Sequence, residues 1–206
     1  MERFLTNAKL KRAQLTETTG EARWSLGTMR GRLIELSARG AAATLTAAVE
    51  LVLEAQTQSE PVAWITLASG SFYPPDAADS GVDLNALVVV RVPDAIAAAR
   101  TAERLLRSGA FGLVVLDLAQ GAAELSMPIQ GRLVTLAQTH DAAVVCVTDK
   151  TAETSSIGSL VSLRADALRG RERDGRFHVT VRALKDKQRG PGWSWHALRS
   201  GPAGLR

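Results

Sequence analysis

The chain has 206 residues, of which 46% are apolar, and a formal net charge of +4. That is enough chain for one domain with a substantial buried core, and no apolar run approaches the roughly 20 residues of a membrane-spanning helix. The opening Met1-Glu2-Arg3-Phe4-Leu5-Thr6-Asn7-Ala8-Lys9 lacks the apolar core of a signal peptide, and the lone Cys146 excludes a disulfide framework, so a cytoplasmic protein is expected.

Residues 1–30 have little periodicity and are expected to form an N-terminal extension before a domain at residues 31–199, with residues 200–206 as a C-terminal tail. The apolar run Arg32-Leu33-Ile34-Glu35-Leu36 leads through a short turn into a helix over residues 46–56, which carries Val49, Leu51, Val52 and Leu53. Val62-Ala63-Trp64-Ile65-Thr66-Leu67 reads as a strand, as do Leu87-Val88-Val89-Val90, Leu113-Val114-Val115-Leu116 and Ala143-Val144-Val145-Cys146-Val147. Continuous β-branched runs of this kind suit strands buried on both faces of a parallel sheet. Between them, residues 95–107 place Ile96, Ala99, Ala102 and Leu106 on one face behind a capping Asp94, and residues 130–140 do the same with Leu133, Val134, Leu136 and Ala137. The β-α alternation predicts an α/β layered domain. Later, Leu160-Val161-Ser162-Leu163 and Phe177-His178-Val179-Thr180-Val181 read as short strands flanking an Asp174-Gly175 turn. Gly192-Trp193-Ser194-Trp195-His196 reads as a third, and together they make an antiparallel extension of the sheet.

Charge is unevenly placed. Residues 164–206 hold 11 Lys and Arg against 4 Asp and Glu, whereas the rest of the chain is slightly acidic. A basic C-terminal quarter fits a polyanion or an acidic protein surface, and equally an ordinary solvated face. Trp193 and Trp195, two apart, share one face of their strand; buried they are core, exposed they anchor a partner.

The octet Ala38-Arg39-Gly40-Ala41-Ala42-Ala43-Thr44-Leu45 lies between a strand and a helix, the setting of a phosphate loop of the form G-x-x-x-x-G-K-[ST]. Ala38 and Ala43 occupy the two glycine positions, Thr44 the lysine and Leu45 the metal-binding hydroxyl. Thr44 brings no charge to a phosphate, and alanine penalises any positive-φ geometry that aims backbone N–H groups at an anion. Asp117 ends its strand after four apolar residues, as does the aspartate that helps to hold Mg²⁺ in NTPases, although any strand end favours a polar residue.

Four segments in register carry a resemblance. Gly31-Arg32-Leu33-Ile34-Glu35-Leu36, Gly81-Val82-Asp83-Leu84-Asn85-Ala86-Leu87, Leu105-Leu106-Arg107-Ser108-Gly109-Ala110 with the strand to Asp117, and Val179-Thr180-Val181-Arg182-Ala183-Leu184-Lys185-Asp186-Lys187 resemble the bacterial RecA recombinase core. The likeness runs from about Gly31 to Ala197. It implies an α/β RecA-like core: a mostly parallel central sheet flanked by helices, with an antiparallel C-terminal extension. It also puts the family's catalytic glutamate at Ser69, which has no means of polarising water, so Asp117 alone remains of the catalytic set. No ATPase activity and no cofactor are expected, and His140, His178 and His196 have no metal-ligand spacing.

Lys185 and Lys187 match lysines that in the recombinase reach a neighbouring subunit's nucleotide; here they either contact a RecA protomer or are solvated. The family's second DNA loop corresponds to residues 149–158, where Lys150-Thr151-Ala152-Glu153-Thr154-Ser155-Ser156 carries one base and no aromatic ring. Grips on single strands combine positive charge with stacking rings, so direct DNA binding, if any, falls to Arg169, Arg171, Arg173, Arg176 and Arg182 as phosphate contacts, with Arg189 a further partner candidate.

A RecA-like core without a working ATP site is similar to two groups of DNA-damage-response proteins. The ImuA group implies an adaptor for error-prone translesion synthesis with RecA, ImuB and an error-prone polymerase as partners, and the SulA group implies a division inhibitor of FtsZ. The length and the basic C-terminus favour the first, leaving self-association and another ATPase-dead RecA paralogue open.

Overall fold

The computed structural model describes residues 24–70, 72–119, 124–172 and 176–200. Eight strands form one sheet in the order β3-β2-β4-β5-β1-β6-β7-β8. They are β1 (Arg32–Ser37), β2 (Val62–Leu67), β3 (Leu87–Val92), β4 (Leu113–Asp117), β5 (Ala143–Thr148), β6 (Leu163–Arg171), β7 (Arg176–Asp186) and β8 (Ser194–Ser200). The pairings from β3 to β6 are parallel and those of β7 with β6 and β8 antiparallel. The predicted architecture is therefore the observed one.

Every residue of β1, β2, β4 and β5 is buried, because helices cover both sides of the sheet. Helix α1 (Leu26–Met29) and helix α2 (Thr44–Thr57) pack on one face with Leu36, Trp64, Val115 and Val145. A short helix α3 (Pro74–Asp79) and a 3-10 turn (Leu84–Ala86) follow β2. Helices α4 (Ala95–Arg107) and α5 (Met127–Thr139) cover the other face with Leu33, Ile65, Val114 and Cys146. Asp94 caps α4 as expected, its carboxylate accepting from the Ala97 N–H at 2.7 Å.

Several elements depart from the sequence reading. β3 is an edge strand with Val88 and Val89 exposed, so its valine run reflects strand propensity, not burial on both faces. Ile96 is 54% exposed, and the buried stripe of α4 is instead Ala98, Ala99, Ala102 and Leu106. Leu160-Val161-Ser162 belongs to a turn, in which the Val161 N–H donates to the Gly158 carbonyl, and the strand starts at Leu163. β8 begins two residues later than predicted, since Gly192 takes a left-handed φ of 92° that ends the preceding turn. The Asp174-Gly175 turn lies outside the described residues. Part of the predicted N-terminal extension joins the body: Trp24, Leu26 and Met29 are buried, and the Trp24 indole donates to the Ala47 carbonyl at 3.0 Å.

Candidate functional site

Parallel strands β2, β4, β5 and β1 all finish at one edge of the sheet, where α/β folds place their ligands. The phosphate-loop segment leaves β1 there. Its course is set by β6: the Ala43 N–H donates to the Ala167 carbonyl at 2.9 Å, and the Arg169 N–H donates to the Ala41 carbonyl at 2.9 Å. Ala42 and Leu168 form an antiparallel bridge, and the Ala42 N–H turns back to the Gly40 carbonyl. Gly40, at φ 83°, has the left-handed backbone of this loop, while Ala43 has φ −126°. The alanines are thus unstrained because the loop is a stitched strand extension and not a cradle. Helix α2 opens at Thr44 with no side-chain cap; Thr44 is buried and Leu45 packs against the core. Arg39 is exposed and turns to Asp149, its Nε 3.5 Å from the carboxylate.

Asp117 sits across the strand pair from Thr66, whose hydroxyl donates to the carboxylate at 3.2 Å. Burial raises the Asp117 carboxyl above its ordinary range, against the weaker opposing pull of the Ala119 N–H and the Thr66 hydroxyl. The Trp64 indole adds to that pull although its buried N–H completes no hydrogen bond. No cation neutralises Asp117 among the described residues. Because the folded form holds this proton more tightly than the unfolded chain does, stability declines as pH rises from the ordinary carboxylate range through the raised value, then levels off. Asp117→Asn is therefore expected to raise the melting temperature at neutral pH and to remove that decline, which thermal melts from pH 4 to 8 would read. Ser69 is exposed in the turn after β2. Beside it Phe72 is buried against Trp64, ring centroids 5.0 Å apart, and Tyr73 is 59% exposed.

The basic candidates disperse over the β6–β8 extension. Arg182 is engaged with Asp166 at 2.6 Å, and Arg169 lies over the Phe177 ring, 5.5 Å from its centroid. Arg171, Arg176 and Arg189 are exposed, while Arg173 lies outside the described residues. The Lys187 ammonium donates to the Ser159 carbonyl at 2.8 Å. Lys185 is half-buried; burial, with the nearby Lys187 and Arg164, holds its ammonium below the ordinary lysine range, partly offset by Glu35. Trp193 is core, its indole donating to Asp186 at 3.1 Å, and Trp195 is half-buried against the same cluster. The sequence separates His178 from His196, but the sheet stacks their rings 5.2 Å apart. Among the described residues no group of three or more metal-ligating side chains converges.

Two buried charges escaped sequence reasoning. Asp186, between the two lysines, pairs with Arg32 at 2.7 Å inside the fold, and Glu35, in the middle of β1, is wholly buried. Arg32 lies 154 positions from Asp186 and Thr148 lies 113 from Glu35, so no local motif announces these ties.

The sheet order, the strand–loop–helix at the end of β1 and the acid at the end of β4 define a RecA-type α/β domain. Residues 18–151 match the RecA N-terminal domain family, and the chain belongs to that family. It is 35% identical over 91 residues to protein RecA of Chlorobium limicola, covering 44% of this chain and 26% of that one. It is 34% identical over 91 residues to protein RecA of Fusobacterium nucleatum, covering 44% and 24%. The match thus spans about a quarter of each of these relatives. No helix among the described residues is long and apolar enough to cross a membrane.

Proposed function

We propose that this chain is a non-catalytic RecA-like adaptor of the cytoplasmic DNA-damage response, supporting error-prone translesion synthesis by binding RecA, the ImuB–polymerase assembly or both. The observation that carries the reading is the stitched phosphate loop. Two of its backbone N–H groups, at Ala42 and Ala43, are spent on protein carbonyls, and Thr44 and Leu45 replace the charge and the hydroxyl that a nucleotide needs. These residues do not fit a nucleoside triphosphate with its Mg²⁺. A scaffold kept without its nucleotide chemistry favours selection for shape, because subunit contacts can outlast catalysis. Mimicry of a recombinase protomer at a RecA filament end is the mechanism we favour.

Nucleotide binding, turnover, partner capture and RecA filament assembly test this. Millimolar MgATP is expected to leave the melting temperature unchanged; a ligand present at 100 times its Kd would stabilise the fold by about 2.7 kcal/mol. Saturable stabilisation would show that the loop still binds nucleotide, and turnover abolished by Asp117→Ala would remove the non-catalytic reading. Affinity capture from DNA-damaged host cells is expected to recover RecA, ImuB or an error-prone polymerase. Recovery of FtsZ in their place would move the protein to the division-inhibitor class, and unchanged RecA filament assembly with excess protein would count against mimicry.

A further inference from the structure

Glu35 points from the middle of β1 into a site with no solvent exposure, and what satisfies it is a loop. The Ser156 hydroxyl donates to Oε2 at 2.6 Å and the Ile157 N–H to the same oxygen at 3.0 Å. The Thr148 hydroxyl donates to Oε1 at 3.1 Å, and Lys150 Nζ lies 3.6 Å from it. Arg164, its Nε 3.7 Å from Oε2, spreads its other two nitrogens onto the carbonyls of Thr151 and Thr154. The rest of the segment is tied at both ends. Arg39 holds Asp149, the Gln130 side chain accepts from the Leu160 N–H at 2.9 Å, and Lys187 holds the Ser159 carbonyl.

We infer that Glu35 is a positioning residue: from inside the sheet it holds residues 149–160 in one preformed conformation, before any ligand or partner arrives. The physical reason is the asymmetry of buried charge. If the loop left, a wholly buried carboxylate would lose its two loop donors and Lys150, while Arg164 would lose both carbonyls. Leaving buried charged groups without these partners is costly, and that cost opposes the entropy the loop would gain on release. Arg39 adds an exposed contact from the phosphate-loop remnant to Asp149, its Nη2 3.3 Å from the Asp149 carbonyl, a contact that contributes little by itself. A partner docking here meets a rigid surface of Asp149, Glu153, Thr154, Ser155 and Ser159, all exposed. This goes beyond the adaptor reading and does not rest on it.

Amide hydrogen exchange on the full chain, without ligand, tests it. In the wild-type protein the Ile157 amide is expected to exchange far more slowly than an open loop amide. Glu35→Gln is expected to speed exchange across residues 150–158 about tenfold or more, with α4 and α5 unchanged. Glu35→Asp keeps the charge but retracts it by one methylene, so it too should accelerate the loop; if burial of charge alone mattered, it would match wild type. Ser156→Ala, at a half-buried position, removes one donor and should give an intermediate loop-confined effect even if the Glu35 variants fail to fold. Open-loop exchange rates in the wild type, or unchanged loop exchange in Glu35→Asp or Ser156→Ala, would overturn the inference.

Discussion

Replacing Asp186 by alanine is expected to destabilise the fold by about 3–5 kcal/mol, the cost of breaking a buried ion pair from one side. Neither Asp186 nor Arg32 has appreciable solvent exposure, and their 2.7 Å contact ties the start of β1 to the end of β7, two strands beyond it in the sheet. Asp186 also accepts from the Trp193 indole at 3.1 Å and from the backbone N–H groups of Gln188 and Arg189. The two halves of the pair are not equivalent. Without Asp186, Arg32 keeps the Ser162 hydroxyl and carbonyl and the Thr28 carbonyl, but Trp193 and the turn after β7 lose their acceptor. Without Arg32, Asp186 keeps its three neutral donors. Denaturant unfolding should therefore rank Asp186→Ala as more damaging than Arg32→Met, and the reverse ranking would show that the guanidinium is the dominant member.

The same carboxylate gives a pH signature. Burial alone would raise the Asp186 carboxyl, but the Gln188 N–H, the Trp193 indole and the Arg32 guanidinium together hold it below its ordinary value. A depressed carboxyl contributes stability that is complete above the ordinary carboxylate range and is lost as pH falls toward the folded-state value. Asp186→Asn should flatten the acid limb of the stability profile, opposite in sign to the effect of Asp117→Asn. A profile below pH 4 unchanged by Asp186→Asn would contradict this assignment.

Strands β2, β4 and β5 were legible because they are short β-branched runs that need burial on both faces, and the α/β alternation left one sensible layering. β6 was nearly illegible. Its Leu163-Arg164-Ala165-Asp166-Ala167-Leu168 has no strand-like composition, and it is a strand because β1 and β7 offer it hydrogen bonds on both sides. Ile96 misled for a related reason: periodicity marks an apolar residue but not how far a helix is rotated, and the alanines of α4 are what let it lie close to the sheet. At the site, sequence located the lost lysine and hydroxyl because a motif fixes their spacing. It had no access to the commitment of the Ala43 N–H to Ala167, which depends on a strand more than a hundred residues later. Nor did it recover the Asp186 and Glu35 ties, since a charged residue inside a strand looks the same on paper whether it is solvated or buried with partners.

Trp64→Ala is the second large effect expected, about 3–5 kcal/mol for removing a buried tryptophan. Trp64 is 1% exposed, lies beside Val89 and Val115 on the neighbouring strands, and packs its ring on Phe72. Through Phe72 it braces the segment after β2, the position the recombinase gives to its catalytic glutamate. Its indole N–H makes no hydrogen bond, whereas that of Trp193 serves a carboxylate. The two tryptophans should therefore respond differently to phenylalanine. Trp64→Phe trims packing alone and is expected to cost well under half the alanine effect. Trp193→Phe also forfeits a bond to a charged acceptor, worth about 1.5–3 kcal/mol, and should be the worse of the two although Trp64 is the more deeply buried. If Trp64→Phe proves as damaging as Trp64→Ala, the indole N–H is serving Asp117 after all, and the acid at the end of β4 is held by more than its threonine.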